Sequence, residues 1–235
     1  MEYRVYNEVF QVLPSFSRAV VVVRGADNRR AVPELEEEFQ SLVAMVRSDP
    51  LSESCDRLSD LEEAFRSMGF NPKRMPPSVV NLVRRIRRGG SVPFVNPLVG
   101  IFNMASLSGL VPCGGDDLSA IQGDLELRPA RGDEIYRPLG RPEEEEKPRP
   151  GELIYVDSAS NQVLCRCWCW KNGDVSKITE GTTDCAINVD SIGHLSKTEL
   201  IGLAERVAHM VERYLGGRTW IRFMNRNDTS FVVPS

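Results

Sequence analysis

The sequence predicts an α/β (α+β) chain, and three patterns carry that prediction. Apolar residues recur at helical spacing through three successive stretches between Pro33 and Arg88. From Leu125 to Val189 the rhythm shortens to strand-like runs punctuated by Gly, Asn and Asp turns. A long amphipathic stretch beginning at Ser196 then restores the helical period. The length of 235 residues accommodates one large domain or two small ones, and 26% charged with 41% hydrophobic residues is ordinary globular composition.

Taken in order, Ala19–Val23 is a β-branched run closed by Arg24, Gly25 and Asp27, and reads as a buried strand. From Pro33, Leu35, Phe39, Leu42, Val43 and Val46 form one helical face behind Glu34 and Glu36–Glu38, whose charge complements a helix N-terminus. A second helix spans Asp56–Met68, with Leu58, Leu61, Phe65 and Met68 inward and Gly69 as its stop. Pro76-Pro77-Ser78 opens a third, with Val79, Leu82, Val83 and Ile86 on its apolar face and Gly89-Gly90 at its end. Arg84, Arg85, Arg87 and Arg88 crowd its last turn. Cations there suit the helix dipole, but four exceed what a dipole asks for; a solvated face and a polyphosphate partner both fit.

The next helix takes Asn96 as cap and Pro97 as first residue, with Gly109 just past its end. Val99, Phe102, Ala105 and Ser106 mark its buried face. Pro112, Gly114 and Gly115 then turn the chain into the acidic pair Asp116 and Asp117. Glycines beside two carboxylates suit a pocket wall, where backbone nears a ligand, and equally a turn capped by Asp.

Leu125 and Leu127 alternate with Glu126 and Arg128, and Ile135 and Tyr136 follow a Gly132-Asp133 turn. Residues 140–151, rich in proline and carrying Glu143–Glu146, read as an exposed excursion. Leu153–Val156 and Gln162–Trp170 pair as a hairpin through Asp157–Asn161, with Lys171–Asp174 as the next turn. Val175–Thr179 and Cys185–Val189 supply further strands. Ser196 and Glu199 form a capping box ahead of the stripe Leu200, Leu203, Val207, Met210, Val211 and Tyr214. Trp220–Phe223 and Phe231–Val233 close the sheet.

Several function classes are excluded by what these patterns lack. No apolar run approaches the ~20 residues needed to span a bilayer, and the N-terminus reads without a secretory signal. Six irregularly spaced cysteines do not form a disulfide framework, so a reduced, cytoplasmic protein is expected. On a strand, Cys165, Cys167 and Cys169 would face one side about 6.8 Å apart, too far for zinc bonds of ~2.3 Å. No metal site is expected. Arg166, Trp168 and Trp170 would occupy the other side, either stacking on a base or lining a packed face. Two histidines without a nucleophile-bearing context argue against a Ser-His-Asp or Cys-His enzyme, and there is no GxGxxG or Walker loop. The net charge of −4 argues against a generic nucleic-acid coat, although Glu143–Glu146 alone account for it.

One resemblance then emerges from an ordered string of motifs. PPSVVNLVRRI, VNPLVGIFNMASL, CGGDDLSAIQGDLELRPARGDE, PGELIYVD, VLCRCWCW and TEGTTDCAINVDS resemble the B3/4 domain of the bacterial phenylalanyl-tRNA synthetase β subunit, and more closely its free-standing (solo) relatives. The resemblance covers about Pro76 to Tyr214. It implies a single α/β domain with a central mixed β-sheet flanked by helices, residues 1–75 forming an N-terminal strand and helical portion packed on a unit of residues 76–235.

The function it implies is editing: hydrolysis of an amino acid wrongly esterified to tRNA, by a positioned water and without a protein nucleophile or cofactor. The partner implied is the aminoacylated 3′ end of tRNA, with no DNA and no membrane contact. By position, Asn103 matches the asparagine of the family's first motif, Gly123 and Arg128 its Gly-to-Arg strand entry, Asp157 the aspartate after PGE, and Thr182 a late threonine. The expected catalytic set is Asp117 or Asp116 to orient the water, with Asn103 holding the substrate amine or ribose. Gly114, Gly115, Arg128, Asp157, Arg166, Lys171 and Thr182 are the implied substrate contacts, and Arg84, Arg85, Arg87 and Arg88 the RNA contacts. Three departures stand out: Gly114 replaces the family histidine, Gly181 replaces a glutamate, and CRCWCW replaces a small glycine-rich turn. A non-catalytic RNA-binding module and a small-molecule binder on the same fold are the alternatives.

Overall fold

The computed structural model of the chain describes residues 1–49 and 55–235. In chain order the elements are β1 (Glu2–Val5), α1 (Asn7–Val12), β2 (Ser17–Arg24), α2 (Pro33–Ser48), α3 (Asp56–Ser67), α4 (Ser78–Arg87), α5 (Pro97–Gly109) and β3 (Cys113–Asp117). They continue with β4 (Leu125–Pro129), β5 (Ile135–Tyr136), β6 (Leu153–Asp157), β7 (Gln162–Arg166), β8 (Lys171–Asn172), β9 (Cys185–Ser191), α6 (Lys197–Leu215), β10 (Arg218–Met224) and β11 (Ser230–Val232). The expected mixed α/β class holds. Its mixed sheet has seven strands, ordered β11-β1-β4-β6-β7-β5 with β8 paired on β7. A second, antiparallel sheet runs β10-β2-β9-β3.

The layers follow from the period-two alternation of β2 and β9. Ala19, Val21 and Val23 join Cys185, Ile187 and Val189 in a core shared with α5 and α6. Val20, Val22 and Ala186 face the other way, into a core with Tyr3, Leu125 and Leu127 of the seven-stranded sheet. With both faces covered, β2 has no polar side to show, and Ala19–Val23 are fully buried. Each buried valine contributes roughly 1.5–3 kcal/mol, so a charge at Val21 would break this layer. No helix among the described residues is long and apolar enough to cross a membrane.

Helix termini follow their local chemistry. Asn96 Oδ1 accepts the Val99 N–H at 3.0 Å, and Ser196 with Glu199 forms the full capping box. Gly109, however, lies inside α5, and the left-handed cap residue is Leu110 at φ 51°. The glycine serves packing: a Cβ there would stand 2.7 Å from Leu203 Cδ1, so Gly109 lets α5 approach α6.

Four further expectations are corrected. Cys113–Asp117 is an edge strand and not a turn, because its backbone pairs with β9 from Cys113↔Val189 to Asp117↔Cys185. The strand expected over Gln162–Trp170 ends at Arg166: Cys167 and Trp168 take left-handed φ of 46° and 50°, and the Trp168 N–H turns to the Leu153 carbonyl at 2.8 Å. The three thiols therefore do not alternate along one face. Lys171–Asn172 forms β8 where a turn was expected, and Val175–Thr179 is not a strand. Across this stretch the Asp117 N–H bonds to the Ser176 carbonyl, binding the segment to the β3 edge without a ladder.

Candidate functional site

The inner face of the four-stranded sheet turns polar at one end, and a cavity of about 250 Å³ opens there against the seven-stranded sheet. Alternation places Arg18, Asn188, Asp190, Gly114 and Asp116 on this face, since they share the parity of Val20, Val22 and Ala186. Tyr155 and Cys165 close it from the opposite sheet, and Asn103 of α5, Ser78 of α4 and Lys171 stand at its rim.

Arg18 is the deepest charge, 1% exposed. Its guanidinium forks onto Asp190, Nε to Oδ1 at 2.6 Å and Nη2 to Oδ2 at 2.7 Å. Nη1 donates to the Tyr3 hydroxyl at 2.5 Å, and that hydroxyl donates to Asn188 Oδ1 at 2.7 Å. Burial works against the charge on Arg18, yet Asp190, Tyr3 and Tyr155 together outweigh it and hold the group well above its ordinary pKa. A buried charge persists only when paired and hydrogen-bonded in this way.

Asp116 sits beside this network, 6% exposed, with Oδ1 accepting from Ser176 Oγ at 2.6 Å. Burial pushes its carboxyl up to about 6, against the Ser176 hydrogen bond and the Arg18 charge. A carboxyl poised there exchanges its proton near neutral pH. The Tyr155 hydroxyl and Trp168 indole N–H are buried without a well-formed hydrogen bond. Cys113, Cys165 and Cys169 also line the cavity, and burial pushes all three thiols up. Protonated thiols are poor nucleophiles and poor metal ligands.

β3 ends its sheet, so one edge of its backbone is open. The Leu118 N–H bonds to the Asp184 carbonyl and the Asp190 N–H to the Pro112 carbonyl, which directs even-numbered residues of β3 toward β9. Gly115 therefore presents its N–H and C=O outward, at the cavity. A Cβ on Gly114 would meet nothing closer than Asn172 Nδ2 at 3.8 Å, so the glycine keeps open space that a side chain would occupy.

Asn103, Gly114, Gly115, Asp116 and Lys171 come together in this wall. The other expected site residues lie elsewhere, most of them with structural partners. Adjacent residues on a strand face opposite ways, so Asp117 leaves Asp116: it caps Ser119 N–H at 2.9 Å and accepts from Thr182 Oγ1 at 2.6 Å. Arg128 is 4% exposed between Glu126 at 3.1 Å and Glu134 at 2.5 Å. Asp157 accepts the Gln122 and Gly123 N–H groups, both at 2.9 Å. Arg166 forks onto Glu152 at 2.9 Å, reaches Glu146 at 2.8 Å and lies over the Trp170 ring. On α4, Arg84 pairs with Glu62 at 2.8 Å and Arg87 donates to the Arg47 carbonyl at 2.8 Å, while Arg85 and Arg88 are exposed.

Sequence reasoning missed Tyr3, Arg18, Asn188 and Asp190. Two signals were available: an arginine heading a run of buried valines, and polar residues at alternate positions of AINVDS.

Comparison with protein families matches residues 60–226 to the B3/4 domain. No curated protein matches the sequence. Among solved structures, the chain is similar to an N-terminal fragment of the phenylalanyl-tRNA synthetase beta-subunit from Pyrococcus horikoshii, with 12% identity and a TM-score of 0.46. That alignment takes in 95% of this chain and 54% of the fragment, so the chain spans about half the fragment's length.

Proposed function

The chain belongs to the B3/4 domain family, and from that premise we propose that it hydrolyses the ester of mischarged aminoacyl-tRNA. Residues 76–235 form the editing-type unit in this reading, and residues 1–75 are a portion of the same domain. The observation that carries the proposal is the cavity between the sheets. At about 250 Å³ it suits a group of amino-acid size, and it holds a buried carboxyl with side-chain amides nearby. The tRNA half of the proposal rests on the family and on the motif string.

The chemistry follows from the groups present. Asp116, once ionised, accepts a hydrogen bond from the substrate ammonium or from a water beside the ester carbonyl. Asn103 and Lys171 at the rim contact the ribose or leaving oxygen. The outward Gly115 N–H is a fixed dipole toward which an oxyanion can develop, at no cost of reorganisation. Water attacks the carbonyl carbon, and the ester C–O bond breaks to release the amino acid and the ribose hydroxyl. With the cavity thiols held protonated, no covalent intermediate on them is required.

A second reading, a small-molecule binder that has kept the fold, is favoured by α4. Arg84 and Arg87 are engaged within the protein, which weakens the case for a continuous RNA-binding face.

The test is incubation of the purified protein with a panel of mischarged aminoacyl-tRNAs, beginning with tyrosyl esters of the phenylalanine tRNA, at two salt concentrations. Selective loss of one ester supports the hydrolase. Salt-sensitive binding without hydrolysis supports a binding module, with a slope near −0.7 per single-strand phosphate neutralised. Neither result leaves the small-molecule reading.

A further inference from the structure

Arg18, which lines the cavity, and Tyr3, which bonds to Arg18 and Asn188, lie outside residues 60–226, the span matched by the family. Their hydrogen bonds have a defined direction. Arginine can only donate, so the Tyr3 hydroxyl must accept from Arg18 Nη1. A phenol has a single proton, and Tyr3 gives it to Asn188. The amide oxygen Oδ1 of Asn188 therefore faces Tyr3 as the acceptor. The one side-chain hydrogen bond of Asn188 among the described residues is through Oδ1, which leaves Nδ2 without a partner on a side chain that lines the cavity.

We infer that the N-terminal segment completes the site, with Arg18 and Tyr3 locking Asn188 so that its amide N–H group reads an oxygen of the bound ligand. The inference rests on the cavity being the binding site and is independent of whether hydrolysis follows. The ligand it selects carries two groups. One is an oxygen acceptor, such as a carbonyl, for Asn188. The other is an ammonium or hydroxyl donor for Asp116, whose Oδ2 has no hydrogen bond among the described residues. Asn188 stands opposite Gly114, and Asp116 opposite Ala186, so the two are diagonal neighbours on one face, about 7–8 Å apart at Cα. That spacing suits a small molecule with both groups on adjacent atoms. Asn188 is a specificity-determining residue, and Arg18 and Tyr3 are positioning residues.

The test uses the full chain and two matched probe sets, measured by calorimetry and by fluorescence of the cavity tryptophans. One set is the twenty L-amino acid amides, which keep the carbonyl oxygen. The other is the corresponding amines that lack it, such as tyrosinamide against tyramine. The expected result is that the wild type binds at least one amide about 10-fold or more tightly than its matched amine. Asn188→Ala erases that preference, and Tyr3→Phe, which frees the amide to turn, reduces it about 3-fold or more while leaving amine binding unchanged. Equal affinity for amide and amine, or a preference that survives in Asn188→Ala, would overturn the assignment, as would a wild type that binds no amide. Tyr3→Phe removes one oxygen and keeps the ring, so it separates positioning from misfolding; a wild-type thermal transition is its control. Binding of an amide with no hydrolysis of any aminoacyl-tRNA would sink the proposed activity and leave this inference standing.

Discussion

Arg18 and Arg128 are both buried arginines with carboxylate partners, yet only one of them marks a site. Around Arg128 every charge is consumed. Glu134 takes the guanidinium and the N–H groups of Arg131 and Gly132, and Glu126 takes Arg128 and the Tyr6 hydroxyl. The result is a closed staple across a loop. Around Arg18 the chain of donors ends on Asn188, whose N–H group is unspent, next to Asp116 and an open cavity. A buried ion pair is therefore no sign of function by itself. Unspent hydrogen-bonding capacity facing a cavity is the sign that separates the two.

The largest expected effect breaks this contrast at its anchor. Arg18→Met strands Asp190 in the core and should cost about 3–5 kcal/mol, read as a lowered urea midpoint. An effect under about 1 kcal/mol would mean that water replaces the guanidinium and that the cavity is wetter than described.

The second expectation contrasts the two networks by pH. Asp116 rises from 3.8 to about 6 on folding, so the folded state binds more protons between those values. Stability should fall as pH rises through that window, by on the order of 2–3 kcal/mol, and stay low above it. Asp116→Asn removes this slope and raises stability at neutral pH by the same amount. Glu134 moves the other way: burial raises it, but the hydrogen bonds from Arg131, Arg128 and Gly132 prevail and hold it at about 2. Its contribution is present above 4.5 and fades as pH falls toward 2. Chemical denaturation across pH 3 to 8 in wild type, Asp116→Asn and Glu134→Gln should resolve opposite slopes. Parallel slopes would refute the contrast.

Arg128→Met should cost less than Arg18→Met, about 1–3 kcal/mol, because Glu134 and Glu126 keep other donors. It should leave binding of any cavity ligand unchanged; a loss of binding in a folded Arg128→Met protein would make the staple part of the site. The smallest effect on stability is expected for Gly114→Ala, under about 1 kcal/mol, since the added methyl meets open space. Ligand affinity should nevertheless drop, and retention of full affinity would place the ligand away from β3.

Much of the fold was legible because its signals are local. Helical stripes, the Asn96 cap, the Ser196–Glu199 box and the AVVVV run each lie within a few residues of the structure they specify. β1 escaped notice because four residues with two inward positions, Tyr3 and Val5, are too few to establish a period. The end of β7 escaped because Cys167 and Trp168 are not residues that advertise left-handed backbone. Of the site, Gly114, Gly115 and Asp116 could be picked out as glycines beside acids. Asp117 could not be separated from Asp116 until their segment was known to be a strand, on which neighbours part.

The sequence by itself determined the long helices, the buried β2 run, the family and the acidic corner, since composition, period and motif order are properties of contiguous residues. Only the tertiary structure decided which polar groups are spent and which are free. That question turns on partners far apart in the chain: Tyr3 meets Asn188 across 185 positions, and Arg18 meets Asp190 across 172. Strand parity sets the face each residue shows, and the packing of two sheets then brings those faces together. No local pattern encodes that meeting.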